Sequence, residues 1–84
     1  MRLRRLIRLP EVTGAMAQGV TQTYADIKSG LLPPPVKRGR SSMWPEDEIA
    51  LVNAARIAGK SDDEIRRLVA FLVAARAADF TEQA

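Results

Sequence analysis

Apolar residues recur at helical spacing in four stretches of this chain, and the breaks between them carry glycine, proline or serine. Val12 and Met16, four apart behind Pro10 and Glu11, predict a short helix from Pro10 to about Ala17, interrupted at Gly19. Val20, Tyr24, Ile27 and Leu31 follow at spacings of four, three and four. They predict a second helix from Val20 or Thr21 to Ser29, with this stripe and the Tyr24 ring turned to the core and Gly30 as its stop. Ile49, Val52 and Ala55 or Arg56, with Leu51 beside them, predict a third helix from Pro45 to about Ala58, ended by Gly59-Lys60. Ser61 and Glu64 form a capping box ahead of Ile65, Leu68, Val69, Leu72 and Val73, the most strongly patterned stretch. That fourth helix is predicted to reach about Ala78, with residues 79–84 fraying. Before all of these, residues 2–8 alternate basic and apolar side chains loosely, and Leu6 and Ile7 suit a short strand.

Between the second and third helices the pattern changes. Pro33-Pro34-Pro35 cannot donate to a sheet ladder and fixes φ, so it makes a stiff spacer leading into Val36-Lys37-Arg38. Gly39, between Arg38 and Arg40, supplies the positive φ of a tight hairpin turn, and Met43-Trp44 offers apolar anchoring on the return strand. The expected fold is mainly α with a small β-hairpin wing: a winged helix-turn-helix over residues 1–59 and an additional C-terminal helical extension over 60–84.

Charge gives this plan a direction. Residues 1–40 carry eight cations against Glu11 and Asp26, whereas residues 41–84 carry five cations against eight acids. A basic half facing polyphosphate and an acidic half turned away is the footprint expected of a nucleic-acid binder. Lys37, Arg38 and Arg40 cluster within four residues and have no acid close to them in sequence. They are the leading candidates for phosphate or minor-groove contact. Thr21, Gln22, Thr23 and Lys28, on the polar side of the second helix, are candidates for base edges or phosphates, and Arg8 and its neighbouring arginines could extend the footprint or meet the acidic half of another copy.

The remaining chemistry is sparse. The chain has no cysteine and no histidine, which removes disulfides, thiolate sites and the commonest metal ligand and general base. Glu46-Asp47-Glu48 and Asp62-Asp63-Glu64 could hold Mg²⁺ in principle, but both triplets sit in first turns of predicted helices, where acids suit the helix dipole and the cap. A non-enzyme without cofactor or metal is expected. No window approaches the roughly 18 apolar residues of a membrane span and no signal-peptide h-region is present, so a cytoplasmic chain is expected. The stripe Ile65, Leu68, Val69 and Leu72 could pack on the body or pair with a second subunit as an oligomerisation face; Phe71 and Phe80 lie off it.

Leu6-Ile7-Arg8-Leu9-Pro10-Glu11-Val12, then Tyr24, Ile27, Lys28 and Gly30, then Leu32-Pro33, Pro35-Val36-Lys37, Gly39, Trp44 and Glu48-Ile49 resemble, in order and spacing, the AlpA family of phage and mobile-element DNA-binding regulators. The resemblance covers about residues 6–58 and implies a MerR-like winged helix, shared with many excisionases. Thr21 to Lys28 would be its recognition helix and Lys37 to Arg40 would lie in the wing. The chain departs from the family's Ser/Arg/Thr-rich helix start, having Ala17-Gln18-Gly19-Val20-Thr21-Gln22-Thr23, and residues 61–84 look like an extension. The resemblance implies a bacterial, nucleoid-associated excisionase, or recombination directionality factor, that binds double-stranded DNA as cooperating copies and shapes it for an integrase. The alternatives are a transcriptional regulator acting at a promoter and an anti-repressor whose basic half binds an acidic protein.

Overall fold

Seven elements follow in the order β1 (Leu6–Arg8), α1 (Leu9–Met16), α2 (Val20–Lys28), β2 (Val36–Arg38), β3 (Ser41–Pro45), α3 (Glu46–Ile57) and α4 (Asp62–Gln83). The computed structural model describes residues 3–83, and at 79 and 81–83 the backbone only. The molecule is mainly helical, with one small antiparallel sheet in the order β1-β3-β2. β3 pairs with β1 through Ile7↔Trp44 and with β2 through Val36↔Met43, Lys37↔Ser42 and Arg38↔Ser41.

Trp44 explains why the sheet sits where it does. It is fully buried on the central strand, among Ile7, Val12, Leu32, Ile49, Val52, Ile65, Val69 and Leu72. Its indole Nε1 donates to the Pro33 carbonyl at 2.9 Å, satisfying the polar edge that a buried tryptophan carries inside. Removing such a ring typically costs about 3–5 kcal/mol, a large share of a small domain's stability.

The helices begin and end largely where the residue pattern predicts. Arg8 N–H donates to the Glu11 carboxylate at the start of α1, and Ser61 and Glu64 exchange backbone and side-chain bonds of 3.0 and 3.2 Å before α4. The Ser61 amide holds the Glu64 carboxyl below its usual range. Gly30 closes α2 in the left-handed region at φ 80°, with its own N–H on Ile27 O and the Leu31 N–H on Asp26 O. Helix C-termini are also tied across the fold: Asn53 donates to Ala15 O at 2.9 Å and Arg66 to Ser29 O at 2.9 Å.

Three expectations are corrected. Tyr24 and Val20 do not face the core; they are 43% and 51% exposed. α2 instead turns Thr23 and Asp26 inward beside the partly buried Ile27, because the tight α1–α2 turn presents polar groups that need partners there. α4 does not end near Ala78 but continues to Gln83. Its stripe, offered as a possible oligomerisation face, is covered by its own chain: Ile65, Val69 and Leu72 are buried in the core and Leu68 packs against it, so the helix docks in cis on the body formed by the preceding elements. None of the described helices is long and apolar enough to cross a membrane.

Candidate nucleic-acid interface

The hairpin tip is made by Arg38, Gly39, Arg40 and Ser41. Gly39 has φ 59° and Arg40 is not in the positive-φ region, the pattern of a two-residue II′ turn with glycine first. Such a turn suits the right-handed twist of its strands, so the cations sit on a defined support. Alternation along β2 sends Lys37 and Arg38 to opposite faces of the ribbon. Lys37 Nζ donates across the hairpin to Ser42 Oγ at 2.7 Å. Arg38 and Arg40 are exposed, and among the described residues neither guanidinium has an acidic partner.

Other arginines meet carboxylates of their own chain. Arg4 forks onto Asp47, at 2.9 Å from Nε and 3.0 Å from Nη2, and reaches Glu48 at 3.4 Å. Its hydrogen bonds hold the Asp47 carboxyl below the ordinary range and push the guanidinium's own pKa up. Arg5 lies 3.7 Å from Glu46. The acidic first turn of α3 thus gives Arg4 and Arg5 carboxylate partners within their own chain, Arg4 closely and Arg5 at the exposed surface. Arg2 lies outside the described residues. Arg8 is exposed and contributes its backbone to the α1 cap.

On α2 the candidates divide. Thr23 is buried and is withdrawn from the binding face: its Oγ1 donates to Gly19 O at 2.9 Å and accepts from Gln18 Nε2 at 3.3 Å. Asp26 collects Gln18 at 3.1 Å and Gln22 at 2.8 Å, with Arg56 4.0 Å away. Gln22 is therefore exposed but tethered. The outward surface consists of Val20, Tyr24 and Lys28, four apart in succession, with Thr21 and Ala25 alongside. Residue patterning missed Tyr24 as a surface group because it assumed an apolar inner face; the polar pair Thr23 and Asp26, three apart and just after Gln18-Gly19, was the signal that α2 is turned the other way.

Electrostatics separate α2 from the other described helices. α1, α3 and α4 each carry acids in the first turn, whereas α2 has none there and no side-chain cap at Gly19. The hollow of about 260 Å³ between β1, α1 and α3 is different: Ile7 and Ile49 line it beside Glu11 and Glu46, and no cation does. It is no phosphate site. The chemistry of the hairpin and α2 is that of exposed cations, a phenol and short hydroxyls on an open surface, groups of the kind that meet a polyanion. No protein-family model, curated protein or solved structure matches this chain.

Proposed function

We propose that this chain is a non-catalytic, double-stranded DNA-binding protein with a winged helix-turn-helix, of the excisionase type suggested by its AlpA-like residues. The observation that carries the reading is the pair Arg38 and Arg40, exposed on either side of a glycine turn and, among the described residues, without acidic partners, while Arg4, Arg5, Arg66 and Arg76 meet carboxylates of their own chain. A guanidinium held on a rigid hairpin suits phosphate oxygens or the floor of a minor groove. The element order supports the winged-helix reading: strand, two helices, then a hairpin whose second strand returns to the first strand. In that arrangement α2 would lay Thr21, Tyr24 and Lys28 against the major groove, with few groups able to discriminate bases, and sequence choice would come from DNA shape and from neighbouring copies.

Salt titration of binding to a short duplex tests this directly. The logarithm of affinity should fall linearly with the logarithm of salt concentration. Changing Arg38 and Arg40 together to alanine should reduce the slope by about two, roughly one per lost phosphate contact. An unchanged slope would remove the hairpin from the interface. On the attachment region of an integrated element, successive cooperative gel shifts with bending support the excisionase reading. One non-cooperative shift at a promoter, with excision by the integrase unaffected, would move the assignment to transcriptional regulation.

A further inference from the structure

Arg76, near the far end of α4, makes three hydrogen bonds to two distant parts of the chain. Nε donates to Glu48 Oε2 at 3.0 Å, Nη2 to Glu48 Oε1 at 2.6 Å, and Nη2 also to the Pro34 carbonyl at 3.0 Å. Glu48 is fully buried on α3, so the first two bonds are needed to satisfy its charge. The third is not. It goes to the middle of the proline run, one residue after the carbonyl that Trp44 holds at 2.9 Å.

Two successive carbonyls are therefore gripped, one by the central strand and one by α4, immediately before the hairpin. Proline fixes φ at residues 33–35, and a following proline restricts ψ at 33 and 34. Little backbone freedom is left between those carbonyls and Val36, the first residue of β2. Fixing where the carbonyls point fixes the direction in which the hairpin leaves the body.

We infer that Arg76 is a positioning residue for the basic hairpin: α4 acts as a buttress that sets the angle at which Arg38 and Arg40 are presented. The fork matters as well as the charge. A guanidinium can hold the Glu48 carboxylate and the Pro34 carbonyl together, whereas a lysine ammonium is a point charge on a flexible stem. The inference rests on the proposed DNA-binding role for its consequence, but not for its geometry.

Two full-length variants test it. Arg76→Lys keeps a cation for Glu48, and the double change Glu48→Met with Arg76→Met removes the buried charges together, so that loss of packing is not confused with loss of positioning. In DNA-free protein, ¹⁵N heteronuclear NOEs at residues 37–40 should fall in both variants while those of α2 stay at wild-type values. On duplex DNA each variant should lose part of the salt slope, about one to two units. Adding Arg38→Ala and Arg40→Ala to either should then cost less than it costs wild type, since coupled residues are not additive. Unchanged hairpin NOEs in both variants, or fully additive losses of affinity, would overturn the positioning role and leave Arg76 a core partner of Glu48. Wild-type protein without salt-dependent DNA binding would overturn the proposed function instead, and the NOE comparison would still decide the positioning.

Discussion

The N-terminal segment and the hairpin are both rich in arginine, yet their guanidinium groups meet opposite fates. Arg4 and Arg5 lie against Glu46, Asp47 and Glu48 at the start of α3, while Arg38 and Arg40 project from a turn with no carboxylate of the described residues beside them. The pairing Ile7↔Trp44 carries the chain from β1 past the end of β3, where α3 begins, and the Glu46 N–H donates to Arg5 O at 2.8 Å. Whether an arginine is available to a partner is thus decided by strand register. A basic stretch in a sequence counts toward a binding surface only after its internal acids have been subtracted.

The largest effect should come from the acid that both ends of the chain share. Glu48→Ala is expected to lower stability by about 3–5 kcal/mol, because it leaves Arg76 partly buried without its carboxylate; urea unfolding measures this. A loss of only about 0.5 kcal/mol would mean that Glu48 merely suits the helix dipole, and the contrast between paired and unpaired arginines would weaken. Next, changing Arg38 and Arg40 to alanine should reduce DNA affinity by about tenfold or more at roughly 0.1 M salt while leaving the unfolding midpoint within about 0.5 kcal/mol of wild type. Arg4→Ala should do the reverse on a smaller scale, costing up to about 1 kcal/mol of stability for a part-exposed pair and changing DNA affinity less than about twofold. If Arg4→Ala weakened DNA binding as much as the hairpin variant, the comparison would fail.

The smallest effect concerns pH. Asp47 is held below its ordinary value of 3.8 by Arg4, and Glu64 below 4.5 by the Ser61 amide. Both carboxyls are depressed in the folded state, so their contributions are complete above those ordinary values and are lost as pH falls through the lower folded ones. Arginine does not titrate in this range. Unfolding midpoints should therefore decline below about pH 4.5, whereas DNA affinity should stay flat between about pH 5 and 9 in a chain without histidine. A step in affinity near pH 6 to 7 would point to a binding group other than the arginines.

Much of the fold was legible because its signals are local. Ser61 and Glu64, Gly30 and the Arg38-Gly39-Arg40 turn each depend on residues within a few positions, and all lie where the pattern predicted. The face of α2 was not legible. An i, i+4 apolar stripe says which residues share a side but not which side is covered, and the inward Asp26 is satisfied by Gln18 and by the exposed Gln22. The candidate site was read partly for the same reason. Gly39 and its flanking cations could be found in one short window, whereas Tyr24 emerged only once α2 was oriented, and Arg76 meets Glu48 and Pro34 across separations of 28 and 42 residues.

By itself the sequence determined the element order, the hairpin with its basic tip, and the absence of histidine and cysteine chemistry, since these follow from backbone preferences and side-chain inventory within short spans. Only the tertiary structure decided which cations stay open, which side of α2 faces out, and that α4 closes the core of its own chain and reaches the base of the hairpin. The physical reason is common to all three. Burial and ion pairing depend on distances between segments far apart in sequence, and those distances exist only after Ile7, Trp44, Ile49 and Ile65 have packed together.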